Sequence, residues 1–344
     1  MLEDLSLENV VDLAYFRYSA DSYYQSPNKN IRVIATFKNS LIRKILCILS
    51  FPFIHPIFSV RFSWLKLFIL KRWVKQEKYD IIICDHSQTF LYAKYLDRSI
   101  PKILLSHDVI AQRVSRTSSK LMYKVCVLSE KFCINIPNSH VFSFCQKDCD
   151  LIESIYNIKA LLCLDYIDPK IINVEPSSIG NYFVFIGKWS RADNVDGVVW
   201  FMEKVVPLLT EKTNIKIIGK AFPHKYLSHI SQNVCIDYLG FVDNPYPLIA
   251  NAKALLSPLF TGAGVKVKVV ESLACGTPVI GTDIAFEGFS SDYSRGMIFA
   301  EDANSFAEAM QNLDLSLQER IVLKNKFINS YTSITIPKFI KTIN

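Results

Sequence analysis

The sequence predicts an α/β protein with two domains, each built on a parallel sheet. At 344 residues, with 50% hydrophobic and 21% charged side chains, the chain is long enough to form two cores. Residues 79–84 and 182–186 are continuous apolar runs, as strands covered on both faces of a parallel sheet have to be. A polar stretch at 173–180, with a proline and a glycine, reads as a linker. We therefore predict domains at 1–175 and 176–325, followed by a tail at 326–344.

The most informative stretch is residues 257–283, SPLFTGAGVKVKVVESLACGTPVIGTD. It predicts a strand end, a glycine loop, a helix over 265–274 and a second strand. Gly262 and Gly264 flank Ala263, so the backbone can turn tightly there and approach a ligand without a Cβ in the way. A loop of this kind at a helix N-terminus offers N–H groups and the positive end of the helix dipole, which suits a phosphate.

Three charged side chains in the predicted helix extend this interpretation. Lys266 and Lys268 add fixed positive charge, and Glu271, two turns into the helix, could accept hydrogen bonds from sugar hydroxyls. Together they indicate a site for a nucleotide diphosphate sugar. The alternative is a plain strand–helix–strand corner in some other α/β protein.

The run 262–282 resembles the donor-site signature of retaining glycosyltransferases of the GT-B fold, family 4 type. Glu271 matches the second Glu of that family's E-x7-E motif, while the first Glu falls at Ala263. The resemblance implies a GT-B fold, in which two Rossmann-like doubly wound domains face a central cleft and the C-terminal tail crosses back. It also implies a nucleotide diphosphate sugar as donor substrate, with no other cofactor and no metal.

The family's N-terminal domain opens with a strand, a glycine-rich loop and a helix. We find no such opening before the strand predicted at 10–16, so we expect the first domain to lack its opening β-α unit. The loss of the acidic residue at position 263 leaves the donor sugar unspecified.

The resemblance assigns roles along the chain. Gly187-Lys188-Trp189-Ser190-Arg191 links a strand to a helix near Asn194, a second corner suited to an anion, although a solvated charged loop is the alternative. The implied catalytic residues are His107 and Glu271. The implied donor-binding residues are Gly187, Lys188, Arg191, Asn194, Gly240, Phe241, Gly262, Ala263, Gly264, Val265, Lys266, Lys268 and Glu271.

Two histidines follow predicted strands of the first domain. His86 and His107 come after the strands at 79–84 and 102–105, where ligands bind in doubly wound folds. The LLSHDV segment resembles the family's strand-then-His pattern, which implies that His107 contacts the reacting sugar. A structural hydrogen-bonding role is the alternative for both histidines.

A basic and apolar block lies near the N-terminus. Residues 29–78 hold 11 Lys and Arg against one acidic residue, and 41–70 is the most apolar stretch. Prolines and charges interrupt it, so we predict two short amphipathic helices rather than a membrane span. They either cover the first sheet or bind an anionic membrane surface. Nine cysteines without a C-x-x-C pair are typical of reduced thiols in a cytoplasmic protein.

These observations predict a retaining glycosyltransferase that moves a sugar from a nucleotide diphosphate sugar to an acceptor hydroxyl. Surface polysaccharide synthesis on a lipid-linked or saccharide acceptor, at the cytoplasmic face of a membrane, is the preferred setting. A catalytically impaired sugar-nucleotide-binding remnant and a GT-B-like epimerase stay open. Nucleic-acid binding is disfavoured, because no recognition motif is present and the basic block is too apolar.

Overall fold

The structure is a computed structural model, and it divides the chain into two compact units. Unit 1 is Met1–Leu164 with Ile334–Asn344, and unit 2 is Asp165–Ser333. The described residues are 2–17, 23–26, 28–38, 41–51, 53–164, 167–223, 226, 232–331 and 335–343.

Unit 1 contains a four-stranded parallel sheet and a separate parallel pair of strands. The pair joins β1 (Val11–Phe16) to β2 (Ile31–Phe37), the second of which the sequence did not predict. The sheet has the order β3-β4-β5-β6. Its strands are β3 (Ile82–Asp85), β4 (Lys102–Ser106), β5 (Ser139–Ser143) and β6 (Ala160–Leu162).

Helices precede and connect the strands of unit 1. They are α1 (Leu2–Glu8), α2 (Leu41–Leu49), α3 (Pro56–Ser59), α4 (Trp64–Glu77), α5 (Ser87–Ala93), α6 (Ile110–Thr117), α7 (Lys120–Ile134) and α8 (Gln146–Tyr156). The prediction of two helices in 41–70 was wrong, because Pro56 starts a third short helix between them. The core packs Phe58 and Phe90 against Leu104 and Val141, all of them fully or almost fully buried.

Unit 2 contains one six-stranded sheet, parallel throughout, in the order β12-β11-β10-β7-β8-β9. Its strands are β7 (Phe183–Ile186), β8 (Thr213–Ile218), β9 (Val234–Gly240), β10 (Leu255–Ser257), β11 (Val279–Gly281) and β12 (Met297–Phe299). In chain order this is the doubly wound arrangement of a Rossmann fold, with the reversal of strand order between β7 and β10. The expectation of parallel sheets in an α/β fold is confirmed.

Helices connect the strands of unit 2. They are α9 (Pro169–Ile172), α10 (Ala192–Trp200), α11 (Tyr246–Ala250), α12 (Val267–Ala274), α13 (Ala303–Gln311) and α14 (Leu317–Tyr331). A π-helical turn (Phe201–Val205) and a 3₁₀ turn (Val206–Leu208) extend α10, and another 3₁₀ segment covers Ser291–Gly296.

Two buried cations of α14 hold unit 2 together. The guanidinium of Arg320 donates to the carbonyls of Ala252 and Lys253 at 2.6 and 2.7 Å. Lys324 donates to the carbonyls of Ile172 and Val174. Because Lys324 bonds to these two carbonyls, α9 and the residues that follow it belong to unit 2. The units therefore divide at 164/165, before the boundary predicted at 175/176.

The last helix, α15 (Ile336–Ile343), belongs to unit 1. The Phe339 ring packs edge-on against His140 and Phe142 on β5, with centroid distances of 5.2 and 4.7 Å. The preceding helix, α14, is part of unit 2, so the predicted tail at 326–344 is divided between the two units.

Candidate functional site

Two loops meet at the reversal point of the unit 2 sheet. Strands β7 and β10 are neighbours, paired at Val184 and Leu255, and their carboxyl ends lead into residues 187–191 and 258–266. In open α/β sheets, ligands bind outside the carboxyl ends of the strands at this position. The two corners that the sequence marks as suited to an anion are therefore neighbours in the fold.

The glycine loop has the backbone conformation that its residues predict. Gly262 and Gly264 have φ angles of 122° and 72°, a region that disfavours side chains. Helix α12 begins at Val267, so the predicted start at 265 was too early. Lys266 is the N-cap and has an extended backbone, with φ −93° and ψ 106°. Gly276 has φ 77° and lies at the C′ position, as predicted.

The two lysines of this loop point to different partners. The ammonium of Lys266 donates to the carbonyl of Gly264 at 2.5 Å and lies 3.8 Å from the Glu287 carboxylate. The ammonium of Lys268 donates to Oδ1 of Asn194 at 3.0 Å. Lys266 therefore faces the turn after β11, and Lys268 faces the corner after β7.

Asn194 ties the two corners together. Its Nδ2 donates to the carbonyl of Lys188 at 3.2 Å while its Oδ1 accepts from Lys268. Arg191, just before α10, forms a two-pronged pair with Asp193 at 3.1 and 2.8 Å, and its side chain remains 63% exposed. Lys188 is exposed as well. Lys188, Arg191 and Lys268 thus belong to the two corners that Asn194 joins.

Electrostatics make Lys268 sensitive to pH. Desolvation of its buried ammonium lowers the pKa of Lys268 to about 8; Asp193 opposes this shift, while Arg191 and Lys266 add to it. A bound anion would favour the charged lysine and so raise this pKa, since its negative charge offsets both the desolvation and the repulsion.

A close contact fixes the distance between α10 and the glycine loop. A Cβ on Gly197 would lie 2.0 Å from the carbonyl oxygen of Pro258, so only glycine allows the helix to approach this closely. This contact keeps α10, which follows the β7 corner, close to the start of the glycine loop.

Glu271 is part of a hydrogen-bonded group that the sequence did not reveal. The hydroxyl of Tyr246 lies 3.3 Å from Glu271 Oε1 and 3.3 Å from Asp168 Oδ2, and its single proton can serve one carboxylate at a time. Burial raises the pKa of Tyr246, and the two carboxylates raise it further, so the hydroxyl stays protonated. Tyr246 can thus donate a hydrogen bond to the Glu271 carboxylate or to that of Asp168.

Gly240 and Phe241 lie at the end of β9, which β7 and β8 separate from β10 in the sheet. Gly240 has φ 66°, and the Phe241 ring is 63% exposed, with the Lys220 ammonium 4.3 Å from its centroid. Gly219, at the end of β8, donates to the carbonyl of Gly240 at 2.7 Å. The Phe241 ring is therefore exposed at the end of β9, which is an edge strand of the unit 2 sheet.

In unit 1, His86 and His107 lie together at the ends of β3 and β4, as predicted. Their ring centroids are 4.1 Å apart, and Nε2 of His107 lies 2.5 Å from Asp85 Oδ1. Partial desolvation raises the pKa of Asp85, but the hydrogen bond and charge of His107 lower it below its ordinary value overall. Desolvation and the neighbouring His107 lower the pKa of His86.

The same trio has metal-ligating chemistry, which the sequence alone did not predict. One ligand atom from each of Asp85, His86 and His107 lies within 4.8 Å of the others. Two of these atoms already share a short hydrogen bond. The expectation of a metal-independent protein stays a prediction.

A buried carboxylate supports the segment that follows His107. Glu130 on α7 accepts from the backbone N–H groups of Ile110 and Ala111 at 3.1 and 2.8 Å, and from the Tyr156 hydroxyl at 2.7 Å. It thereby caps α6 from outside. Burial raises the pKa of Glu130 to about 7, against the lowering from these three donors.

Three site residues were missed from the sequence: Asp85, Tyr246 and Glu287. Asp85 is the last residue of β3 and Glu287 lies in the turn after β11, so their position at a carboxyl edge was a usable signal. Tyr246 starts α11, and no motif in the sequence marks it.

Comparison with known proteins identifies the family that most of unit 2 resembles. Residues 180–314 match the family model of glycosyl transferases group 1. The chain carries a group 1 glycosyltransferase domain. A curated relative, an uncharacterised 44.6 kDa protein in the cps region of Klebsiella pneumoniae, is 24% identical over 139 residues. The match covers 38% of this chain and 36% of that protein.

Solved structures extend the likeness over both units. Sucrose-phosphate synthase from Thermosynechococcus elongatus has a TM-score of 0.66 at 14% identity, covering 96% of this chain and 88% of that one. Anabaena HepE in complex with UDP has a TM-score of 0.61 at 13% identity, covering 91% and 84%. At these identities the likeness concerns the fold, which is GT-B, as the group 1 glycosyltransferase domain leads one to expect.

Proposed function

We propose that this protein transfers a sugar from a nucleotide diphosphate sugar to an acceptor hydroxyl, with retention of configuration at the anomeric carbon. The observation that carries the proposal is the bond between Lys268 and Asn194, which joins two glycine-containing, cation-bearing corners at the reversal point of the sheet. A diphosphate bound there meets N–H groups from the loop and cationic side chains together.

Each part of the donor has a candidate partner in unit 2. Lys268, Lys188 and Arg191 take the diphosphate, and the glycine loop presents its backbone N–H groups. Glu271, within hydrogen-bond reach of Tyr246, accepts hydrogen bonds from the ribose hydroxyls. The base lies along the edge at Gly240 and Phe241.

In the transfer step, the bond between the anomeric carbon and the diphosphate oxygen breaks, and a bond from that carbon to the acceptor oxygen forms. The acceptor proton passes to the departing phosphate oxygen on the same face, so no separate general base is required. Fixed cations and N–H dipoles stabilise the charge on the leaving diphosphate. Following the family resemblance, His107 contributes to this step, held in one orientation by Asp85.

Calorimetric titration of nucleotides tests the donor site. UDP is the first probe, because HepE was crystallised with it, and GDP, dTDP and ADP follow. We expect one nucleotide to bind with a micromolar Kd, about −8 kcal/mol. Glu271→Gln should weaken binding about tenfold, through lost hydrogen bonds to a charged acceptor. No binding by any nucleotide would refute the proposal.

His107→Gln separates binding from transfer. We expect it to lower kcat at least a hundredfold while the nucleotide Kd changes less than twofold. Donor binding without transfer to any acceptor in the wild-type chain would support a binding protein instead of an enzyme.

We further propose that the acceptor side of the protein works at an anionic membrane surface in surface polysaccharide synthesis. The cps region in the description of the curated relative supports the polysaccharide setting. Helices α2 and α4, with the turn after α2, carry a set of exposed apolar side chains that we call the α2–α4 surface. Its members are Ile45, Leu46, Ile48, Leu49, Phe53, Trp64, Leu65 and Phe68, each more than half exposed.

Charge complements this surface. Lys71, Arg72 and Lys75 continue the exposed face of α4 beyond Phe68 and are exposed themselves. Apolar side chains can enter the acyl boundary while the cations meet anionic headgroups. Among the residues that the structure describes, no helix has the length and apolarity of a membrane span.

Vesicle flotation tests this second proposal. We expect the protein to float with vesicles that contain anionic phosphatidylglycerol and to stay at the bottom with neutral phosphatidylcholine. Leu65→Glu should reduce flotation several-fold, whereas Val322→Glu, an equal charge change at an exposed apolar residue of unit 2, should not. Equal flotation of the two variants would contradict the assignment of the surface.

A further inference from the structure

The loop that lacks the family's first acidic residue has a carboxylate beside it from another part of the chain. Position 263 is alanine, but Glu287 lies in the turn after β11, and its Oε2 is 3.8 Å from the ammonium of Lys266. Lys266 in turn donates to the carbonyl of Gly264, next to position 263. A carboxylate is thus present at the glycine loop although the motif residue is not.

The pair is enclosed rather than solvent-exposed. The side chain of Lys266 is 11% exposed and that of Glu287 is 3% exposed. The stem of Lys266 passes the loop, with its Cε 3.6 Å from the point where a Cβ on Gly262 would lie. A desolvated ion pair contributes little net stability compared with apolar side chains of the same volume, so its presence at a ligand loop calls for another role.

We infer that Lys266 and Glu287 recognise the sugar of the donor, while Lys268 recognises its diphosphate; this inference rests on the proposed function. The division follows from the two directions found above, since Lys268 bonds to the β7 corner and Lys266 to the β11 turn. Lys266 and Glu287 are therefore specificity-determining residues.

The chemistry of the pair fits two neighbouring hydroxyls of a hexose. A carboxylate accepts from one hydroxyl and an ammonium donates to the next, so the pair satisfies a diol with one configuration and leaves another configuration poorly bonded. The ligand class is an uncharged hexose attached to a nucleoside diphosphate. A sugar that lacks one of the two hydroxyls leaves a charged group without its bond.

Paired titrations separate the two roles. UDP and UDP-glucose, GDP and GDP-mannose, dTDP and dTDP-glucose, and ADP and ADP-glucose are titrated into the wild type and each variant. For the nucleotide that binds, Glu287→Gln should raise the Kd of the nucleotide sugar about tenfold and the Kd of the matching nucleoside diphosphate less than twofold. Lys268→Met should raise both by similar factors.

A second variant guards against misfolding, because Glu287 is buried. Lys266→Met keeps the length of the stem and should reproduce the selective loss for the nucleotide sugar. The inference would be overturned if Glu287→Gln and Lys266→Met each weakened the binding of the nucleotide sugar and of the nucleoside diphosphate equally, with an unchanged melting temperature. The proposed donor site would stand in that case. Failure of every nucleotide to bind the wild type would instead overturn the proposed function.

Epimers give an independent readout. If the pair reads hydroxyl configuration, Glu287→Gln should reduce the wild-type preference between the glucose and galactose forms of the same nucleotide sugar several-fold. An unchanged preference in this variant would count against the inference.

Discussion

The Lys268 ammonium should make diphosphate binding weaken as the pH rises through about 8. Its pKa is lowered to about 8 in the unliganded protein, chiefly by desolvation, with repulsion from Arg191 and Lys266 in addition. A bound diphosphate favours the protonated lysine, so the neutral lysine must take up a proton when the anion binds. Binding is therefore strongest below the unliganded pKa and falls above it.

The magnitude follows from the proton equilibrium. With a pKa near 8, the observed Kd rises roughly as 1 + 10^(pH − 8), which is about eightfold between pH 7.5 and pH 9. The terminal phosphate of the nucleotide is already ionised over this range, since its pKa is about 6. At pH 8.5 the binding of one nucleotide should take up about 0.8 proton.

Calorimetry in buffers of different ionisation enthalpy measures both quantities. Lys268→Arg keeps the charge at every pH used and should bind with an almost constant Kd, while Lys268→Met should bind weakly and without pH dependence. An eightfold change that persists in Lys268→Arg would refute the assignment of the titrating group to Lys268. A flat profile in the wild type would refute the placement of the diphosphate at this lysine.

Three further substitutions test the supports of the site. The pKa of Glu130 is about 7 in the folded protein and about 4.3 in an unfolded chain, so the folded state holds a proton that the unfolded state has lost. The free energy of unfolding should therefore fall by a few kcal/mol, as an order of magnitude, when the pH rises from about 4 to 7. Glu130→Gln should remove this pH dependence in thermal melts. Arg320→Met leaves two main-chain carbonyls without their buried donor and should cost about 3 kcal/mol in urea unfolding, against a smaller loss for an exposed arginine such as Arg295. Gly197→Ala places a Cβ against the Pro258 carbonyl, so it should lower the free energy of unfolding by about 2 kcal/mol and weaken nucleotide binding. The Cβ of Gly240→Ala would meet no atom within 4 Å, so this variant should lose only about 1 kcal/mol, because of its positive φ. Equal losses in the two variants would contradict the role of the close contact.

The fold was largely predictable because its strands are continuous apolar runs. Such runs predict a parallel sheet without reference to distant residues, as β4 illustrates, since all five of its residues are buried. Strand β2 was not predicted: its burial pattern mixes buried, half-buried and exposed residues without alternation, and its pairing with β1 depends on the rest of the fold.

The candidate donor site was predicted where local chemistry decides the structure. The glycines at 262 and 264 and the corner at 187–191 were identified because backbone conformation and charge are properties of short segments. The directions of Lys266 and Lys268 were not predictable, since they depend on where α10 and the β11 turn lie in space. Tyr246 and Glu287 are distant in sequence from the motif, and packing alone brings them to it.

Hydrogen exchange with and without nucleotide tests the central claim most directly. Saturating UDP, or whichever nucleotide binds, should protect the backbone amides of residues 187–194 and 262–271 together, because one diphosphate lies against both corners. Protection of one corner without the other, or of neither, would contradict a donor site at the reversal point of the unit 2 sheet.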